Sequence, residues 1–486
     1  MGSCAAPSAK GDDKFITTDY LQQCRQYLKL GDDQSPVQLD PHSEVGAFKV
    51  VGHCSWAKPG DKITPDFLRL RIEPWLTALF QSEHLNILIG AGLSSAIQES
   101  ATGTKPQGMG WINDLKVCKA EIDSYVAKTA EASGRGRGNI EDQIRSINEL
   151  IKGLEILTAQ NLPLPEPPPG ALPYRNLKSE LVELNNELTR CLKLFSDSVS
   201  NGEKLIRDAK NDLKTQTFNY LVSFLMSFSS RTATRDRLHI FTTNYDRIIE
   251  AGAEIAGIRL IDRFVGTIAP IFRSSRLEVD YHYNPPGIRG EPRYLEGVAR
   301  FTKLHGSLDW YTTEGAIRRF GLPFGASSVE PFLQVEAAGA ANYHQLMIYP
   351  NSVKDRETSE YPYVELFRDL ASATCRPNST LVTYGYSFGD EHINRVIIDM
   401  LTIPSTHIVI IAYGDPLGRI MRFVNESGRK AQISLLLGDH FGDIKNLVDF
   451  YLPKAAIDRS SIRMAELLKS RGLYRTTISN NSEDAE

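Results

Sequence analysis

Four short segments set glycine, hydroxyl and ionisable residues directly after apolar runs, where open α/β sheets present their chemistry. The first is Gly90-Ala91-Gly92-Leu93-Ser94-Ser95, after the run Leu85–Ile89. Its glycines allow a backbone to approach a phosphate, and Ser94 or Ser95 can cap a following helix whose N–H groups favour an anion. A purely structural strand-to-helix turn accounts for the same residues. The second is Thr242-Thr243-Asn244-Tyr245-Asp246. Helix capping explains either Asn244 or Asp246 and leaves the other without a role. The third, Lys303-Leu304-His305-Gly306-Ser307, offers His305 at a strand end before a permissive glycine. A lone histidine is more often a structural group; the strand-end position and the glycine after it are what raise His305. The fourth is Tyr384-Gly385-Tyr386-Ser387-Phe388-Gly389-Asp390-Glu391-His392. Its glycines and Ser387 suit a loop over a ribose or phosphate, while Glu391 and His392 mark a helix start. A further turn, Ala412-Tyr413-Gly414-Asp415-Pro416, places Tyr413 where it can border an adenine.

The elements that must hold these segments are apolar runs separated by helix-length intervals. Leu85–Ile89, Leu238–Phe241, Gln345–Ile348, Thr380–Thr383, His407–Ile411 and Ile433–Leu437 read as buried strands. Continuous apolar strands alternating with helices predict an α/β fold with a Rossmann-like parallel sheet covered on both faces. A large helical insertion, 111–234, follows the first of these strands. Its stripes are Ile140, Ile144, Ile147, Ile151 and Leu154, then Leu177, Leu181, Leu184, Leu188 and Leu192, then Phe218, Leu221 and Leu225. They serve an internal bundle or a second subunit equally well. The glycine–arginine run Gly134–Gly138 reads as a flexible loop, and Leu162–Pro169 as a stiff polyproline connector. Before the sheet, residues 1–60 read as an irregular extension. An amphipathic helix follows, its regular part expected to begin at Pro74. The main domain is expected over 61–455, with a C-terminal helix and polar tail over 456–486.

Composition narrows the function. Among 486 residues, 55 Lys and Arg face 59 Asp and Glu, a formal charge of −4, so sequence-specific nucleic-acid binding is not expected. No apolar run reaches the ~18–20 residues that span a bilayer, and a cytoplasmic protein without membrane association is expected. The six cysteines form no C-x-x-C pair, which argues against a local zinc module or a secreted disulfide framework.

Taken in order, the segments resemble the sirtuin-like superfamily, in its bacterial defence branch rather than its histone-deacetylating members. Gly90–Ser94 resembles the phosphate loop of that family, and Thr243-Asn244-Tyr245-Asp246 the place where deacetylating relatives carry T-Q-N-I-D. Leu304-His305-Gly306-Ser307 resembles the catalytic histidine segment, and Gly385-Tyr386-Ser387 the later ribose loop. The resemblance implies NAD as substrate, with Asn244, His305 and Asp246 catalytic. Gly90, Ala91, Gly92, Ser94, Thr243, Tyr245, Gly385, Ser387 and Tyr413 would bind the dinucleotide. Protein-deacylating relatives carry a zinc ribbon built from two C-x-x-C pairs; its absence from this sequence favours water as acceptor, with no zinc. The implied activity is hydrolysis of NAD to nicotinamide and ADP-ribose, as an anti-phage effector; because unrestrained hydrolysis would exhaust its own cell, it is expected to be latent until assembled or triggered. A HerA-type DNA-translocating ATPase as partner follows from the same resemblance, and a homo-oligomer is expected from the apolar stripes of the insertion. The alternatives are an NAD-dependent deacylase or ADP-ribosyl transferase, and a non-enzymatic subunit that senses NAD or ADP-ribose.

Overall fold

A computed structural model describes residues 25–454, apart from 45, 107–109, 133–137, 160–176, 230–234, 276–278, 284–292, 295–296, 314–315, 334–341 and 349–360. The polyproline connector, most of the glycine–arginine run and the C-terminal helix and tail lie outside the described residues.

Seven parallel strands form one side of an eleven-stranded sheet, out to its edge. In chain order the sheet contains β1 (Gln26–Lys29), β2 (Val37–Pro41), β3 (Phe48–Val51), β4 (Lys62–Ile63), β5 (His84–Ile89), β6 (His239–Thr242), β7 (Arg259–Ile261) and β8 (Val298–Lys303). After β9 (Gly306–Thr313) and β10 (Leu346–Ile348), which lie elsewhere, it continues with β11 (Ser379–Tyr384), β12 (His407–Ala412) and β13 (Ile433–Leu437). The spatial order is β4-β3-β2-β1-β13-β12-β11-β5-β6-β8-β7, parallel from β13 to β7. The expected α/β class and largely parallel sheet are therefore present.

Both faces of the sheet are buried. Leu85, Ile87 and Ile89 of β5 enter one core and Leu88 the other, and β12 divides Val409 and Ile411 from Ile408 and Ile410 in the same way. That is the period-two consequence of a strand covered on both sides, and it explains why these strands read as unbroken apolar runs. Helices α1 (Pro65–Phe80) and α2 (Ala91–Thr102) cover the first face. The insertion holds α3 (Lys119–Ala132), α4 (Ile140–Ala159), α5 (Leu177–Arg207) and α6 (Asn211–Ser229). After it come α7 (Ile248–Ile255), α8 (Tyr363–Thr374), α9 (Glu391–Leu401) and α10 (Arg419–Glu426), of which α8, α9 and α10 pack on the second face.

Three expectations change. Residues 26–63 are not irregular: β1 to β4 add an antiparallel edge, with β1 pairing against β13 some four hundred residues away. Their segments are four or five residues or shorter, with buried and open positions alternating, too brief for periodicity to register. The helix around Pro74 begins earlier, at Pro65, where the Thr64 hydroxyl accepts from the Phe67 N–H at 3.3 Å. Pro74 lies inside it on the exposed side. The run at Gln345–Ile348 belongs to a separate five-stranded sheet, where β10 pairs antiparallel with β9.

The insertion's stripes are consumed within the chain. Ile144, Ile147, Leu184, Leu188 and Leu192 pack with Leu308 and Tyr311 of β9 in a third core, while Leu221 and Leu225 of α6 close the first face of the large sheet. These stripes therefore do not by themselves require a second subunit. Among the described residues no helix is long and apolar enough to cross a membrane.

Candidate active site

The chain runs from β5 outward through β6 to β8, then returns to the other side of β5 as β11. The crossovers on either side of the β5–β11 pair consequently lie on opposite faces, and a crevice opens beyond the carboxyl ends of these two strands. A cavity of about 950 Å³ occupies this place.

Two glycine loops form its floor. Gly90 ends β5 and is the N-cap of α2, so neither Ser94 nor Ser95 caps that helix. The Gly90 N–H donates to the Tyr384 carbonyl at 3.0 Å and the Gly92 N–H to the Gly385 carbonyl at 3.1 Å. A Cβ on Gly92 would lie 2.5 Å from the Gly385 Cα, and Gly385 itself has φ +62°. The glycines are therefore demanded by contact between the two loops, whatever ligand they also admit.

The Asn244 loop is wired to this floor. Thr242 Oγ1 donates to the Ile89 carbonyl at 2.9 Å and accepts from the Asn244 N–H at 3.0 Å. The buried Asn244 side chain donates to the Gly90 carbonyl at 3.0 Å and to Ser94 Oγ at 2.9 Å. Ser94 Oγ in turn donates to Asp246 Oδ2 at 2.5 Å, and Asp246 Oδ1 accepts from the Ile248 N–H at 3.1 Å. Asp246, one residue before the Arg247 N-cap, thus accepts from the first N–H of α7 and fixes Ser94, which fixes Asn244. Support of the helix start and assembly of the site are one arrangement here, rather than competing roles.

His305 lies in the turn between β8 and β9, which Gly306 permits with φ +90°. The Leu304 N–H donates to the Thr242 carbonyl at 2.8 Å and the Leu308 N–H to the Tyr245 carbonyl at 3.0 Å, so this turn moves with the Asn244 loop. The imidazole faces Tyr245, with ring centroids 6.4 Å apart, and His305 Nε2 is 3.9 Å from Asp390 Oδ2.

Gly90, Ala91, Gly92, Ser94, Thr243, Asn244, Tyr245, Asp246, His305, Gly385 and Ser387 all line the cavity. Tyr413 does not; its side chain is half exposed, with Lys105 Nζ 5.6 Å from its ring centre. Sequence reasoning passed over other lining groups. Asp390, in the loop after β11, is one of them. Arg419, from the start of α10, is the only lysine or arginine among the described lining residues, and nothing in its own segment marks it. The insertion supplies a wall that includes Trp111, Asp114, Glu141 and Phe195. Glu141 Oε1 accepts from the Tyr245 hydroxyl at 3.3 Å, and Phe195 packs edge-on against the Tyr245 ring at 5.6 Å.

Charge is unevenly distributed. Asp114, Glu141, Asp142, Glu203, Asp246 and Asp390 line the cavity together with a single guanidinium, that of Arg419. Glu203 is neutralised by a buried ion pair with Arg247, N–O 2.5 Å. Arg419 and the α2 N-terminus offer positive potential near the glycine loops, whereas the Asn244–His305 side is acidic. Beneath it, burial pushes the Glu250 carboxyl up, opposed by Lys303 at 2.9 Å. Among the described residues, no group of three or more His, Cys, Asp or Glu is arranged to hold a metal ion.

A mixed, largely parallel sheet with a polar cavity at its switch point defines a doubly wound, Rossmann-like class of α/β protein. The family model described as SIR2-like domain matches residues 238–431, which supports a sirtuin-like domain and NAD-related chemistry. The matched region holds Asn244, His305, Gly385, Asp390 and Arg419, while the Gly90 loop and the insertion wall precede it. No curated protein matches the chain.

Proposed function

We propose that the cavity binds NAD and hydrolyses the bond between nicotinamide and ribose with water. The observation that carries this reading is the convergence of Asn244, Asp246 and His305 with two glycine loops and Arg419 on one cavity. The α2 N-terminus and Arg419 suit the diphosphate. The acidic side suits a cationic nicotinamide ring and the oxocarbenium-like charge that grows on ribose as the bond breaks. Both N–H bonds of the Asn244 amide are engaged by Gly90 and Ser94, so acceptance through Oδ1 is what it offers a ribose hydroxyl or water. His305 serves as general base.

The proposed setting is anti-phage defence by NAD depletion. Resting activity is restrained, and assembly into a homo-oligomer or with a HerA-type ATPase releases it. The Glu141–Tyr245 contact gives insertion helix α4 a mechanical hold on the Asn244 loop, and this supports control through the insertion. Deacylation or ADP-ribosyl transfer is the second reading, for which the wide insertion-lined cavity leaves room.

The test is incubation of purified protein with NAD, with and without an acyl-lysine peptide, followed by chromatography of the products. Nicotinamide and ADP-ribose should appear without peptide, and Asn244→Ala and His305→Ala should each lower turnover by about 10²-fold or more. Release that requires peptide would transfer the assignment to the deacylase reading. Measuring nicotinamide release and particle mass together, alone and with the ATPase, tests the latency; full turnover from a monomer would remove it.

A further inference from the structure

We propose that Asp390 is a positioning residue: its carboxylate pairs with His305 and sets that histidine's strength as a base. The inference rests on the hydrolase reading for its catalytic meaning but not for the pairing itself.

The carboxylates lining the cavity have distinct employments. Asp246 holds Ser94 and accepts from the Ile248 N–H, Glu203 neutralises Arg247, Asp114 pairs with Arg190, and Glu141 accepts from Tyr245. Asp142 accepts from the Asn139 N–H. Asp390 is the one that approaches His305, at 3.9 Å from Nε2, with both side chains largely buried at 12% and 19% exposure.

Its position in the chain strengthens the point. Asp390 is the N-cap of α9, where an aspartate ordinarily accepts from the first-turn N–H groups, yet its side chain makes no cap hydrogen bond. The main chain around it is held instead. The buried Tyr386 hydroxyl donates to the Asp390 carbonyl at 3.1 Å, and Asn394 Nδ2 donates to the Phe388 carbonyl at 3.0 Å. A residue suited to capping is thus fixed with its carboxylate turned to the cavity and the imidazole.

A separation of 3.9 Å exceeds a hydrogen bond and corresponds to an ion pair that tightens once the ring is protonated. In the proposed step the C1′–N bond breaks and its electron pair passes to the pyridinium nitrogen, giving neutral nicotinamide. The water oxygen bonds to C1′, and its proton goes to His305. The resulting imidazolium faces Asp390 and later releases the proton to solvent. Asp390 therefore favours the charged form of His305 and strengthens the base. Tyr245 from the preceding loop faces the ring, and Asp246, Glu141 and Arg419 are other ionisable groups that line the same cavity. Lys303 on β8 is directed to Glu250 and the Asp246 carbonyl.

Asp390→Asn keeps the size of the residue and one acceptor oxygen and removes the negative charge. The full-length protein, Asp390→Asn and Asp390→Glu are labelled on histidine and titrated by NMR, with His305→Gln identifying the resonance. The His305 pKa should fall by about one unit in Asp390→Asn and stay near the wild-type value in Asp390→Glu. In steady-state assays the acidic limb of kcat/KM should move to lower pH by the same amount, and kcat should fall about tenfold or more while NAD affinity stays within about threefold. An unchanged His305 pKa and an unmoved limb in Asp390→Asn would overturn the proposal. If the wild-type protein consumes no NAD, the hydrolase reading fails, and the resting-state titration still decides the pair.

Discussion

Gly92→Ala adds one methyl group at the contact between the two loops that floor the cavity. Its Cβ would lie 2.5 Å from the Gly385 Cα, 3.0 Å from the Gly385 oxygen and 3.2 Å from its carbonyl carbon, and all three are backbone atoms. No side chain can swing aside, so restoring ordinary contact requires the loops after β5 and β11 to separate by about 1 Å. Overpacking of this kind costs about 1–3 kcal/mol, and stretching the Gly92 N–H bond to Gly385 adds about 1 kcal/mol. The expected destabilisation is about 2–4 kcal/mol, and it is present without any ligand. If the glycine served only to admit a phosphate, the same substitution would cost NAD affinity and leave the free protein's stability intact. Urea unfolding of the free protein, followed by circular dichroism, separates the two accounts. Calorimetric titration with NAD measures the additional loss caused by displacing the loop. Gly110→Ala is the control, because Gly110 lines the same cavity and its added Cβ meets nothing within 4 Å. Wild-type stability in Gly92→Ala would refute the loop-contact argument.

Glu203→Ala should destabilise the fold by about 3–5 kcal/mol, because it strands the buried Arg247 and removes the acceptor for the Arg247 and Gly325 N–H groups; thermal and urea unfolding measure it. His407 is largely buried beside Ser434, and desolvation, aided by Lys29, lowers its pKa to about 4. Its folded pKa is below the unfolded value, so the unfolded state binds more protons. Its contribution is complete above about pH 6.5 and is lost as pH falls towards 4, amounting to about 1–3 kcal/mol. His407→Gln should flatten the stability curve over that interval; an unaltered slope counts against the buried-neutral assignment. Tyr413→Ala should leave NAD turnover within about twofold, since the ring stands outside the cavity lining, and steady-state kinetics read it directly.

The parallel sheet was legible because burial on both faces demands unbroken apolar runs, and Leu85–Ile89 and His407–Ile411 carry that demand locally. The site segments were legible for a related reason. A strand end that turns into a helix needs glycine or a capping side chain, so Gly90, Asn244 and Asp246 stand out at their places in the chain. The same local logic misjudged β10, because three apolar residues between turns look alike in either sheet.

What the tertiary structure alone decided is everything that depends on distant pairing. Gly92 and Gly385 are nearly three hundred residues apart, and only the adjacency of β5 and β11 shows that each requires the other to lack a side chain. Tyr413 follows a strand end as the site segments do, yet its strand lies one position farther from the switch point and its ring falls outside the cavity. Asp390 looks like a helix cap in sequence and stands beside His305 in space. Arg419 and Glu141 carry no local mark at all, since a surface-type charge becomes a cavity wall only when α10 and α4 dock around the sheet. Hydrophobic periodicity and turn chemistry act over a few residues, so they determine elements and their ends. The charge field of a cavity is set by which ends meet, a property of the topology that no short stretch of chain contains.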